Sequence, residues 1–541
     1  MKIYKLILFC VGLLLMNCTT QKEQTSAAYY FDTIVGDDLN DGTKASPFKS
    51  LEKIKSLQLE AGDSILFKSG QTFDGGVVLE FLGKGWQIPL VITSTEKEKA
   101  TIDAKGGTHA LYINSCSNIK ATNLRLVGNA GKVDEEEAMR CGVLYTTTKE
   151  GDFENITFKD LEVEDIFYNQ PGIERGAKEV NTANGTQKYG WGIRAILKNK
   201  NSTLHNLLIE DCHVRNVAHT GIKLTGNANV GIENFVIKNC VVEYTGGPGI
   251  QMSRVKKGHV YNNTVDHSGS DNDSRKWGRG SGLWTWGSDS IIIEKNRFTN
   301  ANGPGDSAGA HIDYNCSNIV LQYNYSQNNA GGFIEVLGNN YNCSYRYNVS
   351  VNDGYRTKGE DGAFQEGKVF WLSGYQGNKK RKGPFNTYIY NNTIYLDNKI
   401  TAKIAVDKAT KGVFIANNIF HFEGDAKLVL GDQYTPDKGG DSEVENITFK
   451  NNIFYSRSNW PKEVLIQPNQ SKYADVHFAN VKGSSIEDFI PHNSKEIKQK
   501  GIQIQTIQQD SIGLIYGLEV SEDILGNPIS EIPSIGAIEI M

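Results

Sequence analysis

The sequence predicts an all-β chain that winds as a β-solenoid, and three observations favour this fold class. The 541 residues include 56 Gly but only 12 Pro and 5 Met, with abundant Val, Ile, Tyr and Phe, which is typical of strands and turns. From about residue 100, a unit of three short β-branched runs recurs with a period in the twenties. The corresponding asparagines Asn296, Asn324 and Asn348 are separated by 28 and 24 residues, which predicts a hydrogen-bonded ladder between coils.

The N-terminal segment has the features of an export signal. Lys2 and Lys5 precede an apolar run over residues 6–16 that is too short to span a bilayer. Residues 14–18, LLMNC, resemble a bacterial lipobox, and this resemblance implies that Cys18 is acylated; an ordinary cleaved signal is the alternative. We therefore expect residues 1–18 to be a lipoprotein signal and the mature protein to be exported and lipid-anchored to the outer membrane or cell surface.

The rest of the chain divides into a linker, two caps and a solenoid. After the linker 19–28, residues 29–80 form a predicted N-terminal cap, in which Ser46-Pro47 opens a short helix with apolar residues on one face. The repeat then predicts a solenoid over 81–469. It fades after about Asn469, and residues 470–541 are predicted to cap the far end.

Charge and cysteine content indicate which partners, cofactors and disulfide bridges to expect. The formal net charge is -5 and no basic block exceeds residues 379–382, so nucleic acid is not an expected partner, and we expect a monomer. No cofactor is predicted, although the run Asp37, Asp38, Asn40 and Asp41 is read as either turn formers or calcium ligands. Six cysteines follow the signal, and their spacing permits either bridges between coils or buried thiols: Cys116, Cys141, Cys212, Cys240, Cys316 and Cys343.

Alternation along the third run of each unit predicts which side chains leave the core. The residues predicted to point inward are Ile222, Leu224, Ile250, Met252, Leu283, Ala310, Ile312, Tyr314, Gly332, Ile334 and Val336. Two outward columns result, the first of Lys223, Gln251, Trp284, His311 and Phe333 and the second of Thr225, Ser253, Trp286, Asp313 and Glu335.

The second column indicates a candidate active site between Gly280 and Gly338. Asp313 and Glu335 would lie on adjacent coils, ~4.8 Å apart at the backbone. Two carboxylates so placed cannot both ionise easily, so the pKa of one should rise, as a general acid in glycoside hydrolysis requires. Asp306 lies in a glycine-rich turn just before the strand of Asp313 and is the third candidate catalytic acid.

Aromatic and basic residues around these acids are suited to bind sugars. Outward tryptophans on a strand normally need a ligand or a covering loop, and long insertions between the repeats are predicted to form the walls of a groove. His311 is read as a structural or hydrogen-bonding group rather than a catalytic one. The candidate substrate-binding residues are His311, Trp284, Trp286, Trp277, Lys223, Arg254 and Arg279.

The run GDSAGAHIDYNCSNIVLQYNYSQNNAGGFIEVLG resembles right-handed parallel β-helix glycoside hydrolases of the pectate-lyase-like superfamily, including the lacto-N-biosidase-like family. The resemblance implies a single-stranded right-handed parallel β-helix with a short N-terminal capping helix and long loops that form a groove. In that family two aspartates with six residues between them act as acid/base and nucleophile. Asp306 and Asp313 match this spacing, which implies these roles respectively, whereas strand alternation pairs Asp313 with Glu335. Both pairings stay open.

The sequence therefore favours an exported glycoside hydrolase that cleaves a neutral or anionic polysaccharide or complex glycan by carboxylate chemistry. A polysaccharide lyase on the same fold is an alternative, because Lys223, Arg254, Arg279 and His311 include groups that could serve as a base or neutralise a uronate. A glycan-binding protein without catalysis is the third possibility, because sugar binding by itself would explain the outward tryptophans.

Overall fold

The computed structural model describes residues 26–105, 107–128, 140–166, 190–229, 231–269, 279–429, 447–457 and 471–540. Cys18, the signal segment and Trp277 lie outside these residues. No helix in the described ranges is both long and apolar enough to cross a membrane. Within them the chain winds as a parallel β-helix, in which every named strand pair is parallel, as the sequence predicts.

Each complete coil contributes three short strands. In one representative coil these are Asp289–Glu294, Arg297–Thr299 and Ala310–Ile312. The first two join a 26-stranded sheet and the third joins a separate twelve-stranded sheet. Because neighbouring coils are ~4.8 Å apart, equivalent residues of successive coils form columns parallel to the helix axis.

The twelve-stranded sheet carries the candidate site. Its strands are Val77–Glu80, His109–Asn114, Cys141–Thr147, Trp191–Leu197, Ile222–Thr225, Ile250–Ser253, Leu283–Trp286, Ala310–Ile312, Gly332–Val336, Lys368–Leu372, Ala402–Val406 and Ala426–Leu428.

The larger sheet forms the other two sides of the coils. Its strands are Ala28–Phe31, Ser64–Phe67, Thr72–Asp74, Leu90–Ser94, Ala100–Asp103, Ile119–Val127, Gly151–Ile166, Ser202–Glu210, His213–Val217, Ile232–Lys238, Val241–Thr245, Val255–Tyr261, Thr264–Asp266, Asp289–Glu294, Arg297–Thr299, Ser317–Gln322, Tyr325–Gln327, Ser344–Arg346, Val349–Val351, Phe385–Tyr390, Thr393–Leu396, Lys411–Ala416, Ile419–Phe422, Ile447–Lys450, Asn452–Phe454 and Ser471–Tyr473.

A ladder of buried asparagines holds the coils in register. The side-chain amide of Asn296 donates to the Oδ1 of Asn324 over 3.0 Å, and that of Asn324 donates to the Oδ1 of Asn348 over 3.0 Å. The same bond continues through Asn392, Asn418 and Asn452. The predicted asparagine ladder is confirmed, and it extends further along the helix than the three residues that indicated it.

The interior between the sheets is a continuous apolar core. Ile, Val, Leu and Phe side chains from all three strands of each coil fill it, as alternation requires. The six cysteines left after the signal are free and buried, which answers the question that their spacing left open. Burial raises the pKa of the Cys316 thiol to about 12. These thiols act as small apolar groups in the stack rather than as cross-links.

The N-terminal segment already contributes strands to the stack. Strands Ser64–Phe67 and Thr72–Asp74 pair in parallel with Leu90–Ser94 and Ala100–Asp103. The predicted capping helix is one 3-10 helix, Leu51–Ser56, which begins later than the Ser46-Pro47 start that the sequence suggested, and its buried Leu51 and Ile54 join the core. In the acidic run before it, Asp37 and Asp41 accept hydrogen bonds from backbone N–H groups two residues on, as turn-forming residues do.

The C-terminal segment does more than cap the far end. It contains a 3-10 helix, Glu487–Phe489, and a one-turn α-helix, Ser494–Ile497. Apolar residues of this tail pack on a row of buried tyrosines on the outside of the larger sheet. The Asn342 side chain donates to the Asp510 carboxylate over 3.1 Å, which joins the tail to the middle of the stack. This tail therefore covers a flank of the coils on the sheet that does not carry the candidate site.

Candidate active site

Outward side chains of the twelve-stranded sheet form one column along the helix axis, here called the site column. Strand register places each member beside the next on adjacent coils. Every member is less than a tenth exposed. The site column consists of Arg194, Lys223, Gln251, Trp284, His311, Glu335 and Trp371.

The predicted partnership between Asp313 and Glu335 is wrong. The register pairs Ile312 with Val336, so Glu335 lies beside His311, while Asp313 lies opposite Leu337. Both Ile334 and Val336 point into the core, as predicted. Side-chain alternation distinguishes the two faces of a strand but not a shift of two residues, so the sequence pattern was compatible with either register.

Two side chains also face differently from the prediction. Phe333 is buried in the core, where its ring meets that of Tyr345 edge-on at 5.4 Å. Gly332 precedes it at φ 131°, a conformation that side chains rarely adopt, and this interrupts the alternation. Tyr314, predicted to be inward, instead follows the end of its strand and lies partly exposed at the rim.

Asp306 is held as an anion at one end of the strand Ala310–Ile312. Arg279 Nη1 donates to Asp306 Oδ1 over 2.6 Å, and the two side chains are 7% and 16% exposed. The backbone N–H of Asp306 also donates to the side-chain oxygen of Gln365. Burial by itself raises the pKa of Asp306, but Arg279, followed by His311, outweighs it and holds the pKa below its usual value. Asp306 is therefore ionised at neutral pH.

His311 is the fifth of the seven members of the site column, between Trp284 and Glu335. Its Nδ1 is 3.3 Å from the Ser281 hydroxyl, and its ring centre is 5.7 Å from that of Trp284. Burial lowers the pKa of His311 to about 4, even though the Asp306 carboxylate opposes the shift. The imidazole is consequently neutral at pH 7, which suits a hydrogen-bonding group better than a cationic one.

A second row of side chains follows the rim of the same sheet, here called the rim strip. The Arg254 guanidinium lies 4.9 Å from the Trp286 ring, which lies 5.7 Å from the Tyr314 ring. Lys379 completes the strip, with its Nζ 5.8 Å from the Tyr314 ring. Asp313 lies within this strip, and its Oδ1 accepts a 2.7 Å hydrogen bond from the Tyr314 N–H. The strip combines aromatic faces with cations that remain in contact with solvent.

The structure thus distributes the predicted site residues between the site column and the rim strip. Asp306, Arg279, His311, Trp284 and Glu335 meet around the centre of the site column. Asp313, Trp286 and Arg254 lie on the rim strip, and Lys223 lies three coils from His311.

Several residues were missed by sequence reasoning. Arg194 and Trp371 extend the site column in both directions, and Gln365 contacts Asp306 from an inserted segment. Extending the in-out alternation to the strand Trp191–Leu197 would have identified Arg194, because Ile193 and Ala195 beside it are core residues. Nothing in the sequence pattern indicates the contact made by Gln365, which depends on how the insertion folds back.

Metal ligands do not cluster in the part of the chain that the structure describes. No group of three or more His, Cys, Asp or Glu side chains there is arranged to hold an ion.

Comparisons with known proteins agree with the architecture. Residues 191–379 match a family model described as a right-handed β-helix region, and the helix is right-handed. The native GH136 lacto-N-biosidase from Eubacterium ramulus is similar in structure, with 18% identity and a TM-score of 0.51 over 83% of this chain and 68% of that chain. XylC, solved in a complex with xylose, has 11% identity and a TM-score of 0.55 over 95% of this chain and 98% of that chain. No curated protein matches the sequence.

Proposed function

We propose that the protein is a glycoside hydrolase whose substrate lies along the twelve-stranded sheet. The observation that carries this proposal is a pair of partly exposed carboxylates, Asp306 and Asp313, at opposite ends of the strand that holds His311. Two carboxyl groups on either side of a glycosidic bond are the basic requirement of glycoside hydrolysis. A lacto-N-biosidase and a xylose-bound protein with this fold support a glycan as the substrate.

Exposure selects this pair over the one that includes Glu335. A catalytic acid must reach the substrate, and Glu335 is only 3% exposed beside His311. Asp306 and Asp313 both retain exposed surface. We therefore propose that Glu335 supports His311 from the next coil and does not contact the scissile bond.

The ionised state of Asp306 suggests which role each aspartate has. A carboxylate whose pKa is lowered by an adjacent arginine can act as a nucleophile or base, but it is a poor proton donor. The proposal assigns Asp313 as the proton donor. This exchanges the two roles that the family resemblance implies, while keeping the same two residues.

Trp286 is proposed to stack on a sugar ring, and its replacement by Ala is expected to raise KM about tenfold, ~1.4 kcal/mol of binding energy. The kcat should change little, because a stacking contact made equally in ground and transition states affects binding alone. Steady-state kinetics on the best substrate would measure both constants. Tyr244→Ala, which removes an exposed aromatic ring from the larger sheet, is the control. An unchanged KM in Trp286→Ala would show that the rim strip is not part of the substrate-binding surface.

One observation favours a polysaccharide lyase as the second candidate. Burial, together with the neighbouring Arg194 charge, lowers the pKa of Lys223 to about 7, which is near the value that suits a general base. A lyase base of this kind would remove the proton next to a uronate carboxylate, and the arginine would stabilise the resulting charge.

A screen of the full-length protein against neutral, uronate-containing and sulfated polysaccharides tests the proposal. Reducing ends and ultraviolet absorbance are read from the same reactions. A hydrolase releases reducing ends without absorbance, whereas a lyase forms an unsaturated product that absorbs. If the protein binds a glycan but produces neither reducing ends nor ultraviolet absorbance, it is a glycan-binding protein and the proposed activity is overturned.

The proposal also includes the location of the enzyme. Export followed by acylation at Cys18 would hold a monomeric enzyme at the outer membrane or cell surface, where it meets extracellular glycans.

A further inference from the structure

Two basic side chains lie side by side at one end of the site column. Arg194 and Lys223 are register partners on adjacent coils, and they are 8% and 9% exposed. Burial of a charged group is costly unless an opposite charge or hydrogen bonds compensate for it. Two like charges on neighbouring strands add mutual repulsion to that cost.

No carboxylate offsets this charge within the described residues. The only group there that raises the pKa of Arg194 is the Cys141 thiol, and none raises that of Lys223. Arg194 Nε also lacks a hydrogen-bond partner in the described ranges, as does Gln251 Oε1 on the next coil. Among the described residues, the pair therefore has one buried donor without a partner, Arg194 Nε, and no opposite charge.

The surroundings of Arg194 orient its guanidinium. The Trp191 ring lies 4.0 Å from Arg194 Cζ, a distance typical of a cation stacked on an aromatic face. Leu144, the register partner of Arg194 on the preceding coil, is buried in a small apolar cluster with Trp191. A guanidinium carries its donors in a planar arrangement that suits a two-oxygen anion, and the Lys223 strand lies beside it in register.

We infer that Arg194 and Lys223 form a subsite that binds an anionic substituent of the glycan, a carboxylate or a sulfate ester. Register places Lys223 three coils from His311, ~14 Å along the sheet. A glycan lying on the site column would thus put one charged unit over the cation pair while another unit lies at the acids. The inference rests on the proposed function for the identity of the ligand as a glycan, but it concerns binding rather than cleavage.

Equilibrium binding with matched polymers tests this subsite without requiring turnover. The probes are a polyuronate and its carboxyl-reduced counterpart, and a sulfated polysaccharide and its desulfated counterpart, each titrated into full-length protein by calorimetry. We expect at least one charged polymer to bind about tenfold or more tightly than its neutral counterpart. The first pair of polymers reports a carboxylate and the second a sulfate.

Substitutions then locate the charge preference. Arg194→Gln and Lys223→Gln should each reduce the preference for the charged polymer about tenfold, while Lys200→Gln, which changes an exposed lysine, should leave it intact. Equal affinity for charged and neutral polymers in the wild-type protein, or an unchanged preference in both variants, would overturn the subsite. Charge-dependent binding without cleavage would support the subsite and contradict the proposed hydrolase activity. Cleavage without a preference for charged polymers would support the hydrolase activity and contradict the subsite.

The melting temperature of a Lys223 variant is a second test. It should fall if Lys223 belongs to a structural ion pair, but not if Lys223 belongs to a ligand subsite. Lys223→Met removes a buried basic group that has no counter-charge among the described residues, so the melting temperature should stay the same or rise, and anion binding should be lost. A large fall in melting temperature would show that Lys223 stabilises the fold through a partner charge, and it would contradict the inference.

Discussion

Replacing Asp306 by Asn is expected to lower kcat by about 10³-fold or more, with little loss of stability. The proposed nucleophile or base would lose its charge, and general acid–base groups alone contribute about 10² to 10⁴ to the rate. Asn keeps the size of the side chain and one oxygen that can still accept the Arg279 hydrogen bond. Steady-state rates and a thermal unfolding curve for the same preparation would separate lost chemistry from lost fold.

Asp313→Asn should cause a loss of similar size on natural substrates, but the loss should depend on the leaving group. A proton donor is needed mainly when the departing oxygen is basic, so an aryl glycoside with an acidic phenol should recover much of the rate in Asp313→Asn. The same substrate should not rescue Asp306→Asn, because the nucleophile or base is still missing. Comparing both variants on both substrates therefore assigns the two roles.

Asp152→Asn is the matched control, because Asp152 is an exposed acid on a different face of the coils. It should retain full activity. Rescue of Asp306→Asn instead of Asp313→Asn would keep the pair and restore the roles that the family resemblance implies. Near-normal turnover in either variant on the natural substrate would reject the pair and return attention to Glu335.

Replacing Asn324 by Ala is expected to lower the free energy of unfolding by about 3–5 kcal/mol. Asn324 is fully buried and its side chain makes four hydrogen bonds, which join Asn296, Asn348 and the Ile293 carbonyl. Their loss orphans several buried polar groups, each costing about 1–3 kcal/mol. A shift of the urea unfolding midpoint to lower concentration would measure the effect.

An asparagine that makes a similar bond at the surface provides the comparison. The Asn206 amide donates to Asn155 Oδ1 over 3.0 Å between coils, but Asn206 is exposed and has φ 60°. Asn206→Gly keeps that backbone conformation accessible and exposes the freed groups to water, so the loss should stay below about 1 kcal/mol. Equal losses in the two variants would mean that burial of the ladder is not what stabilises the stack.

Local chemistry determined the fold. The period of three short runs and the spacing of Asn296, Asn324 and Asn348 predicted stacked coils with an asparagine ladder, and both are present. This prediction succeeded because each coil contacts mainly its neighbours, so a repeating sequence specifies a repeating structure. Alternation also identified Lys223, Trp284 and His311 as outward residues of one column, since the side-chain period of a strand is fixed by backbone geometry.

Only the tertiary structure decided which outward residues meet. A shift of two residues between strands preserves the inward faces, so the sequence could not tell whether Asp313 or His311 lies beside Glu335. The ion pair between Arg279 and Asp306 and the contact of Gln365 with Asp306 join segments separated by inserted loops, whose paths no period describes. The pairing of Arg194 with Lys223 likewise depends on the register between two adjacent strands. Strand alternation does not specify that register.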